Sequence, residues 1–183
     1  MISKPWLTAI HRTKQSAPMR YLLDNNLINK QQIILDYGCG YGFDVKQLSQ
    51  LGYSIVGYDK FISPFNKNTH LLSNKYDIIT SFFVLNTIED KNDRINTLKN
   101  ILELLKTNGV CFLAVRSFYE FEKSKPKSYK NLNDGIITTR GTFQKYFSLS
   151  DINNLISTNF NSVVYEILPT TKTTILIKII KER

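Results

Sequence analysis

Cysteine and histidine are scarce in this chain of 183 residues, which has two of each. Cys39 lies in a glycine-rich turn and Cys111 in an apolar run, and their spacing fits neither a metal site nor a convincing disulfide. We therefore expect two reduced cysteines and no bound metal. Of the histidines, we expect His70 to lie in a sheet, and only His11 to lie near a functional site.

Long apolar runs are also missing. None reaches the roughly 18 to 20 residues of a membrane helix, and the N-terminus lacks the apolar block of a signal peptide. With a hydrophobic content of 42%, we expect a soluble, cytoplasmic protein. We predict a basic arm at residues 1–16 and one domain at residues 17–183.

Acidic residues are fewer than basic ones, 15 against 24, which gives a formal net charge of +9. Such an excess favours a polyanionic partner. Because Lys, Asn and Ile are all abundant here, part of the excess reflects a compositional bias. The informative feature is the position of the positive charges along the chain, since both ends are basic and the middle is balanced.

Apolar strands alternate with amphipathic helices along the chain. The stretches YDIITSFFVL and VCFLAVR are apolar throughout, which is typical of parallel strands covered by helices on both faces. The last two strands, SVVYEIL and TTILIKII, are separated by only four residues and must be antiparallel. The order predicts an α/β fold of three layers, whose mostly parallel sheet ends in an antiparallel hairpin.

Residues 117–148 show no clear element before Thr142 and interleave Phe and Tyr with lysines. That pattern favours a surface that stacks on bases and neutralises phosphates. We predict a substrate-binding loop there, and the alternative is a disordered, lysine-rich insertion.

The stretch DYGCGYG, residues 36–42, follows the first apolar strand directly. In a doubly wound sheet this turn borders the ligand crevice, and its glycines let the backbone approach a ligand closely. The dinucleotide spacing G-x-G-x-x-G fails because Phe43 takes the third glycine's place. Asp36 disfavours an anion over the turn and suits a cationic group. A plain tight connection is the alternative.

Together, ILDYGCGYG, GYD ending in Asp59, and the terminal hairpin resemble class I S-adenosylmethionine-dependent methyltransferases. The resemblance implies a Rossmann-like, seven-stranded sheet and S-adenosyl-L-methionine as cofactor. It also implies that Asp36 lies near the methionine ammonium, that Gly38 and Gly40 lie under the amino-acid and ribose portion, and that Asp59 accepts the ribose hydroxyls. The cofactor-binding residues predicted are Asp36, Gly38, Cys39, Gly40, Asp59, Lys60 and Phe83.

Three further residues, Asp44, Phe61 and Leu72, are less specific candidates for contacts with the ligand. Asp44 either caps the following helix or contacts the ligand, and the first role is favoured. The acidic residue that commonly meets the adenine amine in this family is missing after Asp59. Phe61 and Leu72 are the candidates for apolar walls around the adenine.

The arm resembles a methyltransferase subgroup associated with DNA phosphorothioation, in which R-x-K-x-S-x-P precedes the glycine motif. Arg12, Lys14, Ser16 and Pro18 match that spacing. The resemblance implies a DNA-linked context, in which Arg12 and Lys14 contact phosphates. The alternative is a solvated basic arm that covers the cofactor.

Catalysis of methyl transfer needs positioning more than a general base. We predict Asn86, His11 and Arg116 as catalytic residues. Asn86 would face an acceptor, His11 would act as a base, and Arg116 would reach an anionic substrate, while helix capping is the alternative for Asn86. The sequence lacks both D/N-P-P-Y/F and a Pro-Cys nucleophile.

The predicted function is methyl transfer to a nitrogen or oxygen acceptor. Nucleic acid is slightly favoured over a small molecule as the substrate. A small-molecule methyltransferase and a non-catalytic, cofactor-binding regulatory subunit are the alternatives.

Overall fold

The structure is a computed structural model that describes residues 3–182. Five α-helices and nine strands are assigned within this range. The helices are α1 Ala17–Asp24, α2 Phe43–Gln50, α3 Lys91–Glu103, α4 Phe118–Lys123 and α5 Leu149–Ser157. The strands are β1 Ile33–Tyr37, β2 Ser54–Tyr58, β3 Tyr76–Phe82, β4 Leu105–Arg116, β5 Tyr129–Leu132, β6 Gly135–Thr138, β7 Phe143–Gln144, β8 Val163–Leu168 and β9 Thr174–Lys181.

The main sheet has the strand order β2-β1-β3-β4-β9-β8. Neighbours among β1 to β4 pair in parallel, whereas β9 is antiparallel to both β4 and β8. The predicted α/β architecture with a terminal antiparallel hairpin is confirmed. The predicted count of seven strands is wrong, because this sheet has six within the described residues.

The chain between β2 and β3 adds no strand to the sheet. It forms two 3₁₀ helices instead, Phe65–Lys67 and Thr69–Ser73. In the second of these helices only Leu71 is buried. The prediction for His70 is therefore wrong, since His70 lies exposed in that helix and outside the sheet.

The two faces of the main sheet are both covered by helices. Ile34, Ile78 and Phe112 point to the face packed by α1 and α2. Their neighbours in the chain, such as Leu35 and Ile79, point to the face packed by α3 and α5. This alternation follows from the period of two along a strand, and it confirms the three layers. Within residues 3–182, no helix is long and apolar enough to cross a membrane.

Residues 117–148 are more ordered than predicted. They form α4 and a separate antiparallel sheet, β5-β6-β7, which we call the small sheet. Three large apolar side chains here, Ile136, Phe143 and Phe147, are almost fully buried. The small sheet is therefore a packed part of the domain.

Buried charges fix the small sheet to the helices of the main domain. The Lys145 ammonium lies 3.2 Å from Asp134 and 3.3 Å from Asp151 of α5, and the Arg94 guanidinium of α3 also pairs with Asp134. Arg94 and Lys145 are only 2% and 6% exposed. Because removing one member would leave a buried charge without its partner, the group holds the small sheet firmly in place.

Candidate functional site

The carboxyl ends of β1 to β4 open into one cavity of about 1030 Å³. This is the edge of an open α/β sheet where ligands bind. Arm residues Trp6, Ala9 and Arg12 line the same cavity from the opposite side. The site therefore lies between the strand ends and the N-terminal arm.

All three glycines of the turn have left-handed backbones, with φ values of 81°, 57° and 72° for Gly38, Gly40 and Gly42. A Cβ at Gly38 would lie 2.2 Å from Val84, and one at Gly42 would lie 2.1 Å from the Phe65 ring. At Gly40 the nearest atom would be 3.8 Å away. Two of the glycines thus make room for the protein's own side chains, and Gly40 leaves space beside the cavity.

Asp36 ends β1 at the cavity wall and is only 4% exposed. Its carboxylate accepts a hydrogen bond from the Thr80 hydroxyl at 2.8 Å. Burial, reinforced by the nearby Asp44 carboxylate, raises the pKa of Asp36 from 3.8 to about 7. The positive charge of Arg12 acts in the opposite direction. A cation entering beside Asp36 would therefore relieve an unfavourable buried charge.

Asp44 was predicted mainly as a helix cap, and the structure gives it another partner. The N-cap of α2 is Gly42, and no side chain bonds the first turn there. The Asp44 carboxylate accepts a hydrogen bond from the Ser16 backbone N–H at 3.0 Å and lines the cavity. It therefore holds the end of the arm at the start of α1, where Ser16 is the N-cap.

Asp59 follows β2 and organises the backbone around it. One carboxylate oxygen accepts from the Gly40 N–H at 2.9 Å, and the other accepts from the N–H groups of Phe61 and Ile62. The carboxylate thus connects the glycine turn to the segment after β2. The oxygen that accepts from Gly40 keeps a free lone pair for a hydroxyl donor at the cavity, whereas the other oxygen already accepts two N–H bonds.

The other residues predicted to contact the cofactor all line the cavity except Leu72. Cys39, Lys60, Phe61 and Phe83 line the cavity. Burial and the nearby carboxylates raise the pKa of the Cys39 thiol, so that it stays neutral. Leu72 does not line the cavity and packs against the core on the α3 face.

Asn86 was predicted to face an acceptor, but the structure buries it completely. Its amide donates to the Lys145 carbonyl, and its oxygen accepts from the Arg116 N–H at 3.1 Å. Both ends of the side chain are therefore occupied by backbone groups. Asn86 joins β4 to the small sheet and does not reach the cavity.

His11 and Arg116 lie in different surroundings. His11 is exposed, stacks on Tyr41 with ring centroids 3.6 Å apart, and is not part of the cavity lining. Arg116 lines the cavity, pairs with Glu120 and lies 5.8 Å from the centre of the Phe83 ring. Of the three predicted catalytic residues, only Arg116 borders the site.

Sequence reasoning missed a polar stripe on α3 that also lines the cavity. Its members are Asp93, Asn96, Thr97 and Asn100. They recur with the same helical spacing as the apolar face. From the sequence alone, a polar stripe of this kind indicates a solvent-exposed helix face. Gln144 of the small sheet was missed too, because residues 117–148 were predicted as a loop.

The family described as "Methyltransferase domain" matches residues 10–163 of the chain. No curated protein matches the chain significantly. A solved structure from Clostridium acetobutylicum, described as an S-adenosylmethionine-dependent methyltransferase, is 13% identical with a TM-score of 0.62, and the match covers 93% of each chain.

Two other solved structures share the fold. One is the 1,6-didemethyltoxoflavin-N1-methyltransferase of Burkholderia thailandensis, which is 15% identical with a TM-score of 0.64, over 92% of this chain and 80% of that one. The other is a glycopeptide N-methyltransferase, 11% identical with a TM-score of 0.63, over 92% and 91%. At these identities the likeness is one of fold.

Proposed function

The chain belongs to the methyltransferase-domain family, and from that membership we propose that it transfers a methyl group from S-adenosyl-L-methionine to a nitrogen or oxygen atom of an acceptor. The observation that carries the proposal is the cavity of about 1030 Å³ that joins Asp36, Gly40 and Asp59 to Phe83 and Arg116. This volume lies at the upper end of the range of about 300 to 1,000 Å³ that is usual for one ligand. It therefore suits a cofactor with an acceptor beside it.

The residues at one end of the cavity fit the cofactor's polar groups. One Asp59 oxygen has a lone pair free for a ribose hydroxyl, and Gly40 leaves space next to it. Asp36 is a buried carboxylate that gains from a nearby ammonium, and Arg12 offers a positive charge for the carboxylate of the same amino acid. When bound, S-adenosyl-L-methionine supplies a methyl group already activated on a sulfonium.

We place the acceptor beside Phe83, Arg116 and Gln144, which line the same cavity. Phe83 offers an apolar ring, while Arg116 and Gln144 supply hydrogen-bond donors. The catalytic contribution we assign to these residues is positioning and exclusion of water. His11 is exposed beside Tyr41, which makes it a poor general base for this site.

We favour a small-molecule acceptor over nucleic acid, which reverses the preference predicted from the sequence. The arm covers the cavity, and Trp6 lies against Phe61 with ring centroids 6.1 Å apart. Two structural neighbours are named for 1,6-didemethyltoxoflavin and for a glycopeptide as substrates. The link to DNA phosphorothioation stays a prediction that depends on the motif at Arg12 to Pro18.

Calorimetry with S-adenosylhomocysteine tests the cofactor site. Arg12→Gln should weaken binding about tenfold, because a charge-assisted hydrogen bond is lost. Lys14→Gln is a matched control, since Lys14 is exposed and does not line the cavity. Equal losses in the two variants would show that the arm acts only through its overall charge, and no binding by the unaltered protein would refute the proposed function.

Methyl transfer from labelled cofactor into fractionated cell extract tests the acceptor class. We expect the label in a small-molecule fraction and expect nuclease treatment to leave the incorporation unchanged. Label that disappears after nuclease treatment would establish nucleic acid as the acceptor. Cofactor binding without any incorporation would favour the non-catalytic regulatory subunit.

A further inference from the structure

A second, smaller recess adjoins the main cavity under the small sheet. Its volume is about 300 Å³. Thr8, Arg116 and Gln144 line both spaces, so the two meet at these side chains. A molecule seated in the recess would therefore reach into the acceptor side of the main cavity.

The lining of the recess is positively charged. Arg116 and Arg140 both contribute to it, and no Asp or Glu among residues 3–182 lines it. Glu120, the partner of Arg116, lies on the main-cavity side. Arg140 forms no salt bridge within the described part of the chain. The recess thus holds one guanidinium that is already paired and a second that is available to a ligand.

Hydroxyl groups add further donors to the recess. The hydroxyls of Thr138 and Thr142 lie 2.7 Å apart and share one hydrogen bond, in which either can donate. Whichever donates, the other hydroxyl keeps its hydrogen for an outside acceptor. Burial raises the pKa of Tyr146, so its hydroxyl also stays protonated at neutral pH. Guanidinium and hydroxyl donors together suit a compact anion.

The turn that carries Arg140 is held in place on both sides. Gly141 has a left-handed φ of 76° and donates to the Thr138 carbonyl at 2.9 Å, which closes the turn. The Gly141 carbonyl accepts from the Lys4 N–H of the arm at 2.9 Å. The backbone beside Arg140 is therefore fixed relative to the arm that lines both spaces.

We propose that the recess binds the anionic group of a small methyl acceptor, either a carboxylate or a phosphate. Arg140 and the hydroxyls of Thr138 and Thr142 hold that group, and Arg116 marks the passage to the main cavity. The volume is at the lower limit for a ligand site, so the group is compact. This assignment rests on the proposed function, because it names the substrate class of the same site.

Nuclear magnetic resonance can test the recess without knowledge of the acceptor. The ¹⁵N-labelled protein, with and without saturating S-adenosylhomocysteine, is titrated with sodium phosphate and separately with sodium succinate at constant ionic strength. We expect at least one of the two anions to shift the amide signals of Thr138, Thr142 and Gln144 along a saturable curve. Comparison of the two titrations separates a phosphate from a carboxylate ligand.

Arg140→Gln should weaken that binding about tenfold, because the available charged donor is lost. Lys130→Gln is the matched control, since Lys130 is an exposed cation on β5 of the same sheet and does not line the recess. It should change the dissociation constant by less than about twofold, as is usual for a screened surface charge.

Two results would overturn the proposal. The first is that neither anion shifts these signals, and shifts caused by a single-stranded oligonucleotide in that case would indicate a nucleic-acid surface. The second is an equal loss in Arg140→Gln and Lys130→Gln, which would indicate diffuse surface attraction. Saturable anion binding in a protein that does not bind S-adenosylhomocysteine would refute the proposed function and leave the anion site standing.

Discussion

Replacement of Asp36 by Asn should stabilise the protein while it weakens cofactor binding. The pKa of Asp36 is raised from 3.8 to about 7, mainly by burial. A folded pKa above the unfolded value means that the unfolded state binds fewer protons between these two pH values. Stability of the unaltered protein therefore falls as pH rises from 3.8 to about 7 and stays low above it.

The size of the effect follows from the shift. At about 1.36 kcal/mol per pKa unit, the charged carboxylate costs about 4 kcal/mol at pH 8. The Asn amide must itself be desolvated, so we expect a gain of about half this value. Its oxygen can still accept the hydrogen bond from Thr80. A gain of about 2 kcal/mol raises the Tm of a protein of this size by about 4 to 8 °C.

Thermal unfolding of both proteins at pH 8 and pH 5 gives the assay. The gain should shrink by more than half at pH 5, where Asp36 is already protonated in the folded protein. Calorimetry at pH 8 should show cofactor affinity reduced about tenfold or more, because the ammonium loses its charged partner. The stability gain and the affinity loss would thus come from the same carboxylate.

Asp77→Asn serves as the control of opposite sign. Hydrogen bonding to Lys106 lowers the pKa of Asp77, so this substitution should reduce stability at pH 8. The reasoning would be refuted if Asp36→Asn lowered the Tm at pH 8, or if it raised the Tm equally at both pH values.

Three further single substitutions and one double variant test the architecture of the site. Gly40→Ala should cost only about 1 to 2 kcal/mol for the left-handed backbone. Gly38→Ala should cost about 1 to 3 kcal/mol more than Gly40→Ala, because the new methyl group would overlap Val84. The double variant Gly38→Ala/Val84→Ala should recover part of that loss. Equal losses of stability in Gly38→Ala and Gly40→Ala, measured by urea unfolding, would contradict the packing argument. Asn86→Leu should cost about 1 to 3 kcal/mol and speed hydrogen exchange at the Arg116 amide, which loses its acceptor; unchanged exchange there would show that the bridge contributes nothing.

The sequence predicted those elements whose signals are local. The parallel strands are apolar on both faces, and the start of α5 is marked by a capping box at Ser148 and Asp151. The start of α1 carries signals of the same kind, since Ser16 is its N-cap and Pro18 lies in its first turn. In these segments propensity, capping and periodicity all agree, so no knowledge of distant partners was needed.

The small sheet could not be predicted because its stability comes from distant partners. Lys145 is buried beside Asp134 and Asp151, and Asp134 also pairs with Arg94 of α3, which lies 40 residues away in the chain. Asn86 was misplaced for a related reason. Phe83 has a φ of 64° and is followed by a 3₁₀ turn, so the residues beyond it leave the alternation of the strand. The position of Asp36 and Asp59 beside the cavity follows from local signals, since Asp36 lies in β1 and Asp59 directly follows β2.

The contact between Gly38 and Val84 has a consequence for how related sequences should vary. These two residues are far apart in the chain, yet the Val84 side chain occupies the space that a side chain at position 38 would need. A lineage that replaces Val84 with a smaller residue would relax the steric constraint on position 38, leaving only the requirement for a left-handed backbone. Where the first glycine is invariant among related sequences, the size of residue 84 would then explain this as much as any requirement of the bound nucleoside.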